Sequence, residues 1–379
     1  MHETGIESHF ALIDGKKLRF GYTTGTCAAA AAKAAATLLF TGIVPRTVRI
    51  DTPKGITLDL EVLEPTGLNG TATCAVRKDS GDDPDVTDGV LVYATVSITD
   101  QLGVSIDGGV GVGRITKPGL KQAIGEAAIN PVPREMIRRA VEEAAEEYNC
   151  VKGLSVVISI PEGVALAEKT FNPRLGIEGG ISILGTSGIV EPMSEDALID
   201  SIALEIRQRK ALGDTRLILT PGNYGADFLK AAYGIADERI VKCSNYVGDA
   251  LDAAIAAGFS EALLCGHIGK FVKLSGGIFN THSRLGDHRA ELMAAAAEQA
   301  GADEATQKAM FDCVTTDEML RVLEKKGLLP QTMDALKTRI DAALKARFPK
   351  LTIGVIVFTT GNMELFRNET ARHRMEKTI

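Results

Sequence analysis

RIVKCSNYVGDALDAAIAAGFSEALLCGHIGK, residues 239–270, decides the fold class of this chain. Two apolar runs, RIVKC and EALLC, flank an alanine-rich helical segment, and a glycine-containing turn follows the first run. RLILT with PGNYG (216–225) precedes this stretch in the same order, and LTIGVIVFTTGN (351–362) returns as a last buried strand. Successive strand–helix units imply parallel strands joined by right-handed crossovers. The sequence therefore predicts a doubly wound, mostly parallel α/β sheet.

The first half of the chain has a different pattern. Short β-rich runs with Gly, Asp and Pro turns fill 47–110, and an amphipathic helix is predicted over 131–149. We expect an α+β domain over 1–178, with an Ala-rich helix and loops of carboxylates and cations. A Rossmann-like α/β domain is expected over 179–379, with ISILG (181–185) as its first strand.

Composition limits the classes of function. The 379 residues carry a net charge of −7 and no Trp, which argues against nucleic acid and an anionic membrane as partners. The first twenty residues have no apolar segment typical of a signal peptide, and no stretch is predicted to span a bilayer. Six scattered cysteines without C-x-x-C spacing fit a reduced, cytoplasmic protein without structural zinc.

The predicted ends of the parallel strands are rich in glycine, hydroxyl and amide residues. Ligands bind at the carboxyl ends of such strands, and these residues suit an adenosine-type ligand. No G-x-G-x-x-G fingerprint is present, and no acidic residue for a ribose follows the next strand, so glycines that only form tight turns are the alternative. The candidate cofactor-binding residues are Gly185, Thr186, Gly188, Gly222 and Asn223.

GYTTGTCAAAAAKAAATLL (21–39) predicts a helix that is unusually poor in large side chains. Thr24, Gly25 and Thr26 would offer hydroxyls and backbone N–H groups at its positive end, which is a ready anion site. The alternative is a capped helix packed tightly inside the core. Both interpretations stay open at this point.

GHIGKFVKLSGGIFNTHSR (266–284) combines histidines, cations and four glycines after a predicted strand end. His267 and His282 are the candidate catalytic residues, because imidazole titrates near neutral pH. Lys270 and Arg284 are candidate anion-binding cations in the same stretch. Arg114 and Lys117, among the glycines of GVGRITKPG (111–119), would suit recognition of carboxylates.

KDSGDDPDVTDG (78–89) gathers five aspartates around a glycine and a proline. A hard-metal loop is one interpretation, but Val90 occupies the position at which an EF-hand needs its glutamate. A solvated loop rich in Asx turns is favoured. No metal site of the protein's own is predicted.

The long motifs together resemble the cobalt-precorrin-5B C(1)-methyltransferase family of anaerobic cobalamin biosynthesis. The resemblance runs in order from about residue 18 to 284 and continues more weakly to the final strand. It is carried by GYTTGTCAAAAAKAA, KDSGDDPDVTDG, GVGRITKPGL with GEAAINPVPREMI, GISILGTSGIVEPMS and GHIGKFVKLSGGIFNTHSR. It implies transfer of a methyl group from S-adenosylmethionine to C1 of a cobalt-containing corrin precursor, which gives cobalt-precorrin-6A. Cobalt is then part of the corrinoid substrate.

Such a macrocycle carries many carboxylates, so the implied substrate needs local cations and helix N-termini. Arg114, Lys117, Lys270 and Arg284 are available, and the alanine helix with Thr24–Thr26 would form a smooth wall against the ring. His267 or His282 would remove a proton, bind a carboxylate or ligate the substrate's cobalt.

An NAD-dependent oxidoreductase of the same pathway type and a non-enzymatic corrinoid carrier are the rival functions. The sequence leaves open whether the chain forms a homo-oligomer.

Overall fold

The structure, a computed structural model, describes residues 3–375. It is a mixed α/β protein that divides into two compact units, one ending at Ser194 and the other beginning at Glu195. We call them the N-terminal unit and the C-terminal unit.

The N-terminal unit is built around a five-stranded sheet in the order β6–β7–β8–β12–β9, whose last pair is parallel and whose other pairs are antiparallel. Strands form in the runs TVRIDT, ITLDLEVL, TATCAVRK and VLVYATVSIT of the predicted β-rich region, and also in the run GLSVVISIP (153–161). The predicted amphipathic helix is present and ends at Glu147. The strands are β1 (Phe10–Ile13), β2 (Lys16–Arg19), β3 (Gly21–Tyr22), β4 (Thr47–Asp51), β5 (Thr57–Glu61), β6 (Leu63–Leu68), β7 (Thr71–Arg77), β8 (Leu91–Thr99), β9 (Val104–Gly108), β10 (Gly111–Val112), β11 (Arg114–Ile115), β12 (Gly153–Ser159), β13 (Ile177–Glu178), β14 (Gly180–Ile181) and β15 (Ile189–Val190). The helices are α1 (Thr24–Thr41), α2 (Pro131–Glu147) and α3 (Gly163–Ala167).

The alanine helix α1 is the core of this unit. It packs against β7 and β8 on one side and against α2 on another, and Ala28–Ala32 have no exposed surface. Methyl side chains allow this close approach because they add little volume between neighbouring backbones. The predicted smooth wall against a macrocycle is therefore wrong, and the alternative of a packed core helix is confirmed.

The C-terminal unit contains a second five-stranded sheet and most of the helices. Residues 289–347 form four helices, and an antiparallel strand follows the expected last strand. The strands are β16 (Leu217–Thr220), β17 (Ile240–Lys242), β18 (Glu261–His267), β19 (Thr352–Phe358) and β20 (Glu364–Arg367). The helices are α4 (Glu195–Ala211), α5 (Asn223–Tyr233), α6 (Val247–Ala256), α7 (Ile268–Phe271), α8 (Arg289–Gln299), α9 (Glu304–Phe311), α10 (Thr316–Lys325), α11 (Leu329–Arg347) and α12 (Glu369–Met375).

The strand order β17–β16–β18–β19–β20 places β16 between β17 and β18, with all pairs parallel except β19–β20. Alternate residues face opposite sides of the sheet. Leu264 and Val355 pack into the core that includes α6, α8 and α11, whereas Leu263 and Ile356 pack against α5 and α12. Helices therefore cover both faces, and the carboxyl ends of four strands meet at one edge.

The first strand expected for this sheet lies in the other unit. Ile181 pairs within β10–β14, and β15 pairs with β3, so residues 179–194 complete the N-terminal unit instead of opening the C-terminal one. The unit boundary thus falls after Ser194 and not at 178/179. An apolar run indicates a strand, but it carries no information about which sheet pairs with it.

The packing of α1 predicts that one buried alanine tolerates no larger side chain. Ala31→Leu should lower the free energy of unfolding by about 1–3 kcal/mol, because the added carbons must displace packed neighbours. Urea denaturation followed by circular dichroism measures the change.

The matched control is Ala342→Leu, the same substitution at an exposed position of α11. It should change stability by no more than about 0.5 kcal/mol. Equal effects of the two substitutions would contradict the account of α1 as a close-packed helix.

Candidate functional site

The candidate site lies at the carboxyl edge of the sheet in the C-terminal unit. In open α/β sheets the ligand crevice lies where the strand order reverses, which here is between β16 and β18. Thr220 ends β16, and Gly222–Asn223 lead into α5 directly after it. His267 ends β18. Two parts of the chain that are far apart in sequence thus reach one edge.

The turn between β16 and α5 is open. A Cβ on Gly222 would have no atom within 4 Å, and Asn223 and Tyr224 are exposed. No side chain caps α5, and the backbone N–H groups of Asn223 and Tyr224 have no acceptor within residues 3–375. Gly225 is the tight position, since its Cβ would lie 2.9 Å from the Cys265 carbonyl oxygen. The turn therefore presents free donors beside the crevice.

His267 is fixed at both ring nitrogens. Its Nδ1 accepts a hydrogen bond from the Gly269 N–H at 3.0 Å and caps α7. A nitrogen that accepts a hydrogen bond carries no proton, so the neutral ring holds its proton on Nε2. That Nε2 lies 3.0 Å from Thr360 Oγ1. His267 is therefore a hydrogen-bond donor in this arrangement, and it could act as a base only after losing the bond from Gly269.

Asp317 and Thr360 complete a short hydrogen-bonded chain with His267. Thr360 Oγ1 donates to Asp317 Oδ2 at 2.8 Å, and His267 Nε2 lies 3.8 Å from the same oxygen. Burial lowers the pKa of His267, and the Asp317 charge offsets part of this effect. The ring is consequently neutral at pH 7.

Lys270 is a half-buried cation without a partner. No hydrogen bond or ion pair reaches its ammonium group from the rest of the described chain. Burial lowers its pKa, and the nearby Cys243 opposes this effect only weakly, because burial raises the pKa of that thiol to about 12 and keeps it neutral. An unpaired ammonium beside the carboxyl edge is a suitable anchor for an anionic ligand.

The loop 277–288 is docked onto the same edge. Thr281 Oγ1 donates to Asn245 Oδ1 at 3.1 Å, directly after β17. Lys273 is 2% exposed, and its ammonium donates to the carbonyl oxygens of Thr281, His282 and Gly286 at 2.8–3.4 Å. Lys273 thus holds the loop and is not a free cation.

The two candidate residues of this loop, His282 and Arg284, differ in what they leave free. His282 Nδ1 accepts from the Arg284 N–H at 3.2 Å, and its Nε2 has no hydrogen-bond partner in the described part of the chain. Arg284 forms an ion pair with Glu195. His282 therefore offers a free donor, whereas the guanidinium is already neutralised.

The candidate residues of the N-terminal unit satisfy each other. Thr26 Oγ1 donates to the Gly188 carbonyl oxygen at 2.6 Å, and the Gly25 N–H donates to the Leu184 carbonyl oxygen at 3.1 Å. Thr24 Oγ1 lies between the N–H and carbonyl oxygen of Leu184. The start of α1 is thus covered by the chain's own 184–188 segment, which is a departure from the predicted free anion site.

Gly185 is required by this packing and does not mark a parallel strand end. Its φ is +128°, and a Cβ there would lie 2.5 Å from Thr23 Cβ. Gly188 has a φ of +78° and lies against Thr52. Thr186 is exposed. The predicted cofactor roles of these residues stay predictions, but the strand-end argument for them is wrong because the segment lies outside the C-terminal sheet.

The two other predicted cations of this unit differ in their environment. Arg114 donates two parallel hydrogen bonds to Asp107, at 2.7 and 2.9 Å, and a third to the Gly108 carbonyl oxygen. This pairing lowers the pKa of Asp107. Lys117 covers Gly176, and its ammonium has no partner within residues 3–375. Lys117 remains available to an anion, whereas Arg114 serves the fold.

The aspartate-rich loop is held by internal hydrogen bonds. Asp79 receives two bonds from Arg19, both at 2.7 Å, and Asp85 accepts from the buried Lys78 at 2.7 Å. Asp88 caps the Ser80 N–H. The Gly81 N–H donates to Asp79 Oδ1 and the Thr87 N–H donates to Asp85 Oδ1, both at 2.8 Å. These bonds confirm the predicted Asx turns, whereas the buried Lys78 and Ser80 show that the loop is only partly solvated. In the described residues no three His, Cys, Asp or Glu side chains are placed to share a metal ion, and no helix there is long and apolar enough to cross a membrane.

Sequence reasoning missed the partners of His267. Thr360 follows the end of β19, so the principle that ligands bind at the carboxyl ends of parallel strands could have identified it. Asp317 lies in the first turn of α10, and no local pattern marks it. Only the packing of α10 beside α7, where a Cβ on Gly269 would lie 3.4 Å from Thr316 Oγ1, brings it to the edge.

The chain belongs to the CbiD family. The CbiD family model matches residues 12–192, and the model of the CbiD C-terminal domain matches residues 280–369. A curated relative from Ruminiclostridium cellulolyticum is 46% identical over 94% of this chain and 93% of its own length. A second, from Thermoanaerobacter sp., is 50% identical over 84% of this chain and 86% of its own. Both are named cobalt-precorrin-5B C(1)-methyltransferase.

A solved structure is also similar to this chain. The crystal structure of the cobalamin biosynthesis protein cbiD from Archaeoglobus fulgidus is 27% identical and covers 75% of this chain and 88% of its own, with a TM-score of 0.40.

The environment of His267 predicts both its tautomer and its titration. Long-range ¹H–¹⁵N NMR of ¹⁵N-histidine-labelled protein should show the Nε2–H form at pH 7, with a titration midpoint below the ordinary value for histidine. Since the folded state disfavours the imidazolium, wild type should lose stability as pH falls below about 6.5.

His267→Asn assigns the signal and serves as the control, because an Asn oxygen can still cap α7 but does not titrate. Wild type should lose stability as the pH falls from the ordinary pKa of histidine to the lower pKa of His267 in the folded protein. The variant should not show this loss. An Nδ1–H tautomer, or a midpoint above the ordinary value, would refute the assigned hydrogen bonds.

Proposed function

We propose that this chain transfers a methyl group from S-adenosylmethionine to C1 of cobalt-precorrin-5B in cobalamin biosynthesis. The observation that carries the proposal is the 46% identity to a named cobalt-precorrin-5B C(1)-methyltransferase across 94% of this chain and 93% of the relative. The matched region covers more than nine-tenths of both chains. The product is cobalt-precorrin-6A, and the cobalt belongs to the substrate.

S-adenosylmethionine supplies an electrophilic methyl group on a sulfonium ion. The protein's contribution is to hold donor and acceptor in line, so proximity and orientation supply most of the acceleration. The residues at the carboxyl edge of the C-terminal sheet fit the donor, since Gly222 leaves open space and the N–H groups of Asn223 and Tyr224 have no acceptor among residues 3–375. We assign the adenosyl end of the ligand to this turn.

The corrinoid substrate brings carboxylates that need cations. Lys270 supports this role because it is half-buried and lacks a counterion among the described residues, so an anionic ligand would relieve its desolvation. His282, with its free Nε2, adds a donor on the loop that Lys273 holds. His267 is a positioning residue in this proposal, since its Nδ1 accepts the Gly269 N–H and its Nε2 lies 3.0 Å from Thr360 Oγ1.

A single-turnover assay tests the function. The protein is mixed with cobalt-precorrin-5B and S-adenosylmethionine labelled with ¹³C in the methyl group. We expect one labelled methyl group on the corrinoid, with its NMR signal at C1, and one equivalent of S-adenosylhomocysteine. Binding of the corrinoid without methyl transfer would favour the carrier function, and methyl transfer to another carbon would contradict the regiochemistry.

Lys270→Met should weaken corrinoid binding about 10- to 150-fold, which is the range expected when one hydrogen bond between charged groups is lost. Methionine keeps the aliphatic stem and removes only the ammonium. The dissociation constant is measured by titrating the coloured corrinoid into the protein. Lys350→Met, at an exposed position, is the matched control and should bind as wild type does. Equal binding by the two variants would remove Lys270 from the substrate site.

A further inference from the structure

We propose that the Asp317 carboxylate, together with the Thr360 hydroxyl, binds the vicinal hydroxyls of a ribose at the carboxyl edge of the C-terminal sheet. The inference rests on the proposed function, in which that ribose belongs to the adenosyl group of the methyl donor. It adds two binding residues on elements that no strand–turn–helix motif of the sequence marks.

The hydrogen bonding of Asp317 leaves half of its capacity unused. Oδ2 accepts from Thr360 Oγ1 at 2.8 Å, and Oδ1 has no partner within residues 3–375. A carboxylate only accepts hydrogen bonds and has sites for several donors, and a vicinal diol supplies two O–H donors at neighbouring carbons. Thr360 is exposed, so its hydroxyl is accessible beside the carboxylate.

The carboxylate is held in place before any ligand arrives. A capping box fixes the start of α10, because Thr315 accepts from the Glu318 N–H at 3.2 Å and Glu318 accepts from the Thr315 N–H at 3.1 Å. Thr316 is buried against the start of α7. A group that is already ordered loses little entropy on binding.

The position of Asp317 relative to the crevice suits a nucleoside. His267, the last residue of β18, lies 3.8 Å from Asp317 Oδ2 and is paired with Phe358 at the end of β19. Neighbouring strands lie about 4.8 Å apart. A nucleoside that begins at Gly222, after β16, therefore reaches Asp317 by crossing the end of one strand, β18.

This placement also resolves a gap in the strand-end pattern. Dinucleotide-binding folds hold the ribose with an acidic residue that follows a neighbouring strand. Here β17 is followed by Ser244 and Asn245, and no acidic residue stands there. Asp317 brings the missing carboxylate to the edge from α10, which is far away in sequence.

A purely structural role is the competing explanation, in which Asp317 only fixes Thr360 and His267. The two differ in one respect, because only a ribose-binding carboxylate distinguishes ligands by their hydroxyl groups. The ligand chosen for the test must therefore lose those hydroxyls and nothing else.

The experiment is isothermal titration calorimetry of the full chain with S-adenosylhomocysteine and with its 2′,3′-dideoxy analogue. Wild type should bind the parent compound about 10- to 150-fold more tightly than the analogue, the range for a hydrogen bond to a charged group. Asp317→Asn should bind the parent compound at least about tenfold more weakly and should lose most of this discrimination. Asn can still accept the Thr360 bond, so the fold is kept.

Asp312→Asn is the control, since it removes the same charge from an exposed position nearby and should leave both affinities unchanged. An Asp317→Asn variant that keeps the full discrimination overturns the inference while leaving the proposed function intact. Wild type is also titrated with NAD. Ribose-dependent binding of NAD alone would contradict the methyltransferase and keep the ribose site, and binding of neither ligand would overturn both.

Discussion

The parallel pairing of β16 with both β17 and β18 is the constraint on which the site depends. Because the chain places its first strand of this sheet between the second and the third, the crossovers leave in opposite directions and a crevice opens at the carboxyl ends of β16 and β18. Gly222 and His267 stand at this crevice for that reason alone. Lys270 follows His267 in the short helix α7, so the cation and the imidazole are positioned by the same strand end.

Around that edge, polar side chains hold each other and leave specific groups unused. Lys273 is consumed by three carbonyl oxygens, and Arg284 is neutralised by Glu195, whereas Lys270 and one oxygen of Asp317 remain without partners in the described chain. Buried or half-buried polar groups without partners cost free energy in a fold. Their concentration at one sheet edge is the physical basis for placing ligand chemistry there.

The C-terminal sheet could largely be predicted because its strands and helices alternate within short stretches of sequence. The run 239–270, for example, contains β17, β18 and the helix α6 that connects them. The prediction that ISILG opens this sheet was wrong, because the sequence of a strand does not identify the strand that pairs with it. Only the packed structure shows Ile181 beside β10. At the site, Gly222 and His267 follow from strand ends. Asp317 does not, since it reaches the edge only through the packing of α10 beside α7. The resemblance to the family gave the chemistry, and the alanine helix proved to be core.

The placement of the methyl donor at the carboxyl edge of the C-terminal sheet can be tested by a crystal structure of the full chain with S-adenosylhomocysteine. We expect the adenosyl group beside Gly222, with its ribose oxygens within hydrogen-bonding distance of Asp317. An adenosyl group seated instead on the 184–188 segment at the start of α1 would contradict this placement.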